Sequence, residues 1–139
     1  MDSNYQLFLV RPKPYCPYSF TALDSSELVS VYENKTKLSK IDKLALLWEF
    51  YQDNDVKNLI KISKELKNTY PFILAAAEAH LERVPAKGNI GRPSRTLLQI
   101  GYELNNWEFE PVFKEFCKRE AIYGFGDLQV KRLFDKLKV

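Results

Sequence analysis

A mainly α-helical bundle behind a short extended arm is the fold this sequence predicts, and three observations predict it. After Asp24, apolar residues recur at three- and four-residue spacing through most of the chain. Capping residues, prolines and glycines interrupt that pattern at intervals that suit six to seven helices. Residues 1–22 follow neither rule, being rich in aromatics and carrying Pro12, Pro14 and Pro17. The expected organisation is therefore an aromatic, proline-rich arm over residues 1–22 and one helical domain over residues 23–139. A chain of 139 residues has room for one substantial core.

Taken in order, Tyr5 to Val10 ("YQLFLV") suits one β-strand, because branched and aromatic side chains fit a pleated surface. The prolines that follow exclude helix and sheet interior and favour extended geometry. Asp24 with Glu27 three residues on forms a capping box for a short helix through Tyr32. Ser39 is the expected cap of a second helix, with Ile41, Leu44, Ala45, Trp48 and Tyr51 along one face. Asp53 or Asn54 then caps a third, with Val56, Leu59, Ile60, Ser63 and Leu66 as its buried stripe. The short break between these two makes them an antiparallel hairpin.

Pro71 suits the first turn of a fourth helix, whose Ala75, Ala76, Ala77 and Ala79 allow close approach by a neighbour. Ser94 is expected to cap a fifth, with Leu97, Leu98, Gly101 and Leu104 inward. Val112, Phe113, Phe116 and Cys117 mark a sixth, ending at Gly124. Asp127 is expected to cap the last, striped by Val130, Leu133, Phe134 and Leu137. No repeat follows at a fixed period, so a bundle is expected rather than a solenoid.

Composition narrows the function classes. The 45% hydrophobic and 28% charged fractions suit a globular chain. No apolar run is long enough to cross a bilayer, and the first residues lack the features of a signal peptide. Cys16 and Cys117 make neither a disulfide framework nor a metal motif. A soluble, cytoplasmic protein in a reducing compartment is the simplest expectation, with a bridge between the two cysteines left open.

Catalytic chemistry finds little to work with. His80 is the one histidine, so base catalysis or metal ligation would have to centre on it. The carboxylate pairs Asp53/Asp55 and Glu108/Glu110 flank helix starts, where acids complement the helix dipole. Gly88 and Gly91 are too closely spaced for a Walker loop. The expectation is a protein that is not an enzyme and uses no cofactor or metal.

Basic residues carry the strongest functional signal. "VPAKGNIGRPSRT" (Val84–Thr96) reads as a flexible segment, and from Arg83 to Tyr102 there are four basic residues and no acid. Lys87, Arg92 and Arg95 stand there at the start of a helix, where free backbone N–H groups also favour an anion, and Ser94 and Thr96 add hydroxyl donors. Such a segment suits a clamp on a phosphate backbone. Lys57, Lys61 and Lys64 fall at i, i+4 and i+7 and form a second track. Lys131 and Arg132, with Lys136 and Lys138, form a third set in the tail. These sets make a polyanion surface only where they share a side.

In its short, basic, nearly all-helical body, from Asp24 to Val139, the chain resembles the small helical subunit of CRISPR effector complexes. That family has no diagnostic motif, so the resemblance lies in architecture and charge. It implies a non-catalytic accessory subunit that holds DNA by its backbone inside a larger complex, with other protein subunits as partners and a role in antiviral defence. The rival expectation is a helical protein-interaction module, such as an adaptor, inhibitor or immunity protein. It would be anchored by Tyr15, Tyr18 and Phe20 of the arm and by Trp107.

Overall fold

A computed structural model describes residues 5–13 and 19–137. It is a mainly α bundle, as predicted, with a two-stranded sheet near the N-terminus. The elements are β1 (Phe8–Leu9), α1 (Ser25–Glu33), β2 (Thr36–Lys37), α2 (Ile41–Gln52), α3 (Val56–Leu66), α4 (Pro71–Glu82), α5 (Arg92–Leu104), α6 (Phe109–Arg119) and α7 (Asp127–Asp135). Short 3-10 turns occupy Ser19–Ala22 and Ala121–Tyr123.

Of the expected first strand, Phe8 and Leu9 alone are paired. They run antiparallel to Lys37 and Thr36, a partner strand absent from the sequence reading. The arm is tied further by the Leu38 amide, which donates to Leu7 at 2.8 Å. The Arg11 guanidinium also lies 3.4 Å from the centre of the Phe72 ring. Tyr15, Cys16, Tyr18 and Lys138 lie outside the described residues.

Local rules place several helix ends. Asp24 makes the full capping box: its Oδ1 accepts from the Glu27 amide at 2.9 Å, and Glu27 Oε2 accepts from the Asp24 amide at 2.9 Å. These bonds hold the Asp24 carboxyl below its ordinary range. Pro71 sits in the first turn of α4. Four capping expectations are corrected. Ser39 does not cap α2, because Lys40 intervenes in a left-handed conformation and the Tyr70 hydroxyl takes both backbone groups of Ser39 at 2.7 Å. Asp55, rather than Asp53 or Asn54, caps α3. Helix α5 begins at Arg92, which puts Ser94 inside its first turn. Gly126 is the residue that precedes α7, although Asp127 does accept from the Leu128 amide at 2.7 Å.

Two hydrophobic clusters form the core. Leu97, Ile100, Val112, Phe116, Val130 and Phe134 close one between α5, α6 and α7, each at most 1% exposed. Ile62, Leu66, Tyr70 and Ile73 form the other, covered by Leu38, Leu44, Leu47, Phe50 and Phe72. Helix α4 packs on α3 and on the 121–123 turn, and the Tyr123 hydroxyl donates to the Ala79 carbonyl at 2.9 Å. It thereby joins the two clusters. Ala77 and Ala79 are buried at these approaches, whereas Ala76 is exposed.

Three buried stripes also need correction. On α2, Leu44, Leu47 and Phe50 face the core, whereas Ile41, Ala45, Trp48 and Tyr51 are exposed. On α3, Ile62 is buried and Val56 is exposed. On α5, Ile100 is buried where Leu104 was expected.

Candidate nucleic-acid interface

The Val84–Thr96 segment is a built turn rather than a flexible loop. Ala86 and Asn89 exchange two backbone hydrogen bonds, at 2.9 and 2.8 Å. Gly88 supplies the positive φ of +79° that closes such a turn. Asn89 Oδ1 then accepts from the Gly91 amide at 2.9 Å. Gly91 has φ +86°, and a Cβ there would stand 2.6 Å from the Arg83 carbonyl oxygen. The glycine is what allows the end of α4 and the start of α5 to touch.

Arg92 does not offer a free cation. Its Nε lies 3.1 Å from both carboxylate oxygens of Glu120, its Nη2 is 3.0 Å from Glu120 Oε2, and its Nη1 is 2.9 Å from Glu82 Oε2. The Glu120 side chain is 5% exposed, and the Thr96 hydroxyl donates to its Oε1 at 2.6 Å. Hydrogen bonds from Arg92 to Glu120 and Glu82 raise the guanidinium pKa further above its already high ordinary value. Of the two arginines expected to contact phosphate, Arg92 and Arg95, the first is thus consumed by carboxylates, together with the Thr96 hydroxyl. These bonds fasten α4, α5 and the end of α6 together. The acid-free run was real, but its acids arrive from outside it.

The fold builds a different basic site nearby. Between the 84–94 turn and α7 lies a cleft of about 270 Å³. Ile90, Pro93, Phe125 and Leu133 supply its apolar lining, and Ser94 and Gln129 its uncharged polar groups. Arg83, Arg132 and Lys136 supply its charge, with no acid among the lining residues. Among the described residues, none of these three cations forms an ion pair with a carboxylate. One cation of the first basic set, Arg83, therefore shares a side with two of the tail set, Arg132 and Lys136.

The other predicted site residues are distributed unevenly. Lys87 and Arg95 are exposed on the turn and on the first turn of α5, outside the cleft lining. Lys131 is bound to Asp135, with 2.6 Å from Nζ to Oδ2, and stands over the Phe109 ring. Lys57, Lys61 and Lys64 are exposed on α3, which packs with α2 and α4 rather than in the α5–α7 cluster. Phe20 is 40% exposed in the first 3-10 turn. Trp107 is not an exposed anchor: its ring stacks on Phe134 and meets Tyr102 edge-on. It covers Gly101, where a Cβ would come within 2.8 Å of the indole.

Arg83 and Lys136 were visible as charges in the sequence but not as partners, since their meeting depends on how α7 packs. An aromatic group was missed altogether. Trp48 and Tyr51 stack on the outer face of α2 at 5.5 Å and 22°, and Tyr51 meets the His80 ring at 4.9 Å. Burial and, secondarily, the charge of Arg83 hold the His80 pKa below its ordinary value. Among the described residues no group of three or more His, Cys, Asp or Glu side chains is placed to hold a metal ion. No described helix is long and apolar enough to cross a membrane. No protein-family model, curated protein or solved structure matches the chain.

Proposed function

We propose that this protein is a non-enzymatic binder of nucleic-acid backbone, and that the cleft between the 84–94 turn and α7 is its phosphate contact. One observation carries the reading: Arg83, Arg132 and Lys136 converge on one concave surface with no acid among its described lining residues. Unpaired cations in a cleft focus the potential and attract a polyanion regardless of its sequence. Arg92 has a positioning role, because its pairs with Glu82 and Glu120 hold together the end of α4 and the start of α5, where Arg83 and Ser94 stand. Lys57, Lys61 and Lys64 remain a secondary track. The resemblance to small CRISPR effector subunits supplies the setting, an accessory subunit along DNA inside a larger nucleoprotein complex.

The test is fluorescence anisotropy with labelled DNA and RNA across a salt series. The unmodified protein should bind without sequence preference and weaken steeply as salt rises. The Arg132→Glu/Lys136→Glu variant should lose at least about tenfold in affinity and show a shallower salt dependence, since each lost phosphate contact lowers the slope by about one. No binding at low salt by the unmodified protein would rule the reading out.

A protein-interaction role has its own observation. Helix α1 has no buried residue, and its Leu28, Val29 and Tyr32 are exposed beside the arm that bears Phe20. A pull-down with the full chain, compared with a Leu28→Asp/Tyr32→Asp variant, tests that reading. It fails when both capture the same proteins.

A further inference from the structure

Resting on the nucleic-acid reading above, we infer that the Trp48–Tyr51 pair is a base-stacking platform and that the strand this protein binds is single. Single-strand binding sites combine exposed aromatic rings, on which bases stack, with a cationic groove that follows the backbone. Both parts are present and adjoin.

The platform is exposed and ordered. Trp48 is 58% and Tyr51 43% exposed, on a helix whose inner face already fills the core with Leu44, Leu47 and Phe50. Their rings stack on each other at 5.5 Å and 22°, so the outer face of Trp48 is the one on which a base would continue the stack. Tyr51 leans on His80, which fixes its position against α4.

The groove begins where the platform ends. His80 and Arg83 are three residues apart at the end of α4, and so lie on one side of it. Arg83 also lines the basic cleft with Arg132 and Lys136. Rings and cations thus form a continuous sequence from Trp48 through Tyr51 and His80 to Arg83 and the cleft. Charge complementarity selects the occupant: a protein partner for the rings alone would leave three unpaired cations at their edge, whereas an unstacked strand offers bases to one part and phosphates to the other. A duplex keeps its bases stacked on each other and has none to give. Glu49 and Asp53 do not interrupt the path, because they lie about 100° and 140° around α2 from Trp48.

The experiment uses the full-length chain with a labelled 20-nucleotide mixed-sequence single strand, the matching duplex, and heparin as a polyanion without bases. Trp48→Ala and Tyr51→Ala should each weaken single-strand binding about tenfold to a hundredfold, while duplex and heparin binding change less than twofold. Single-strand addition should quench tryptophan fluorescence in the unmodified protein and much less in Trp48→Phe. Trp48→Phe should restore much of the affinity that Trp48→Leu loses, which separates a π-face from mere bulk and guards against misfolding of the alanine variant. Unchanged single-strand binding in the ring variants, with loss in Arg132→Glu/Lys136→Glu, overturns the platform and leaves the cleft reading standing. Equal losses for single strand, duplex and heparin in the ring variants also overturn it. Absence of binding by the unmodified protein overturns both.

Discussion

Helices α5, α6 and α7 each carry one strong apolar stripe, whereas α1 and α2 spread their apolar residues around the helix, and the two groups end in opposite surroundings. In the first group Leu97, Ile100, Val112, Val130 and Phe134 are fully buried. In the second no residue is buried, and Leu28, Val29, Tyr32, Ile41, Trp48 and Tyr51 are all more than 40% exposed. The difference is in neighbours. Each of α5, α6 and α7 packs on the other two, so every apolar stripe meets two partners. Helix α2 has α3 as its main neighbour, and α1 makes no broad contact with another helix. A helical stripe states that an apolar face exists, and the packing decides whether this chain or something else covers it. That is why the aromatic pair on α2 and the apolar face of α1 stay open to a partner, whereas the basic cleft is built where α7 packs near the 84–94 turn.

The largest expected effect tests the contrast directly. Phe134→Ala should destabilise the protein by about 3–5 kcal/mol in urea denaturation, because it removes a fully buried ring from beside Trp107 and Phe109. Leu28→Ala on α1 should stay within about 0.5 kcal/mol. A comparable cost at Leu28 would mean that α1 is packed after all.

Cap removal sharpens the comparison at a smaller scale. Asp55 and Asp24 accept similar hydrogen bonds from the third residue of their helices, at 3.1 and 2.9 Å. Asp55→Ala should lower the global unfolding midpoint, since α3 carries four buried residues. Asp24→Ala should leave the unfolding midpoint unchanged and raise amide exchange in α1 alone. Native-state hydrogen exchange distinguishes the two.

The smallest effect concerns His80, at the contact between the halves. Its pKa is lowered in the folded state, so the fold favours the neutral ring. That contribution is complete above the ordinary value of about 6.5 and is lost as pH falls through the lowered folded value. The lowered carboxyls of Asp24, Asp55, Glu65, Glu103 and Glu115 contribute fully above their ordinary values of about 4, and lose this as pH falls through their folded values. Acidification from pH 7 toward 5 should therefore lower the melting temperature more in the native protein than in His80→Gln. Equal declines would place His80 outside the balance.

What was legible in the sequence followed from local chemistry. Asp24 and Glu27 announced their capping box, Pro71 its first turn, and Val130 and Phe134 their stripe, because each depends on residues within one or two turns. Ser39 failed as a cap because the Tyr70 hydroxyl, 31 residues away, claims its backbone. Trp48 and Tyr51 failed as a buried face because α2 carries two apolar stripes and periodicity cannot rank them. Trp107 failed as an exposed anchor because Gly101, one helix turn and a half before it, leaves the space into which its ring packs.

By itself, the sequence determined seven helices, their order and a mild excess of positive charge, since propensity, capping and net charge are set by composition and near neighbours. The tertiary structure alone decided which of those charges are free. Packing brought Glu82 and Glu120 to Arg92 from 10 and 28 residues away and silenced it. The same packing laid Arg83 beside Arg132 and Lys136 with no acid among them. The energy of a charge depends on distance through space, and distance through space is what a linear pattern does not contain.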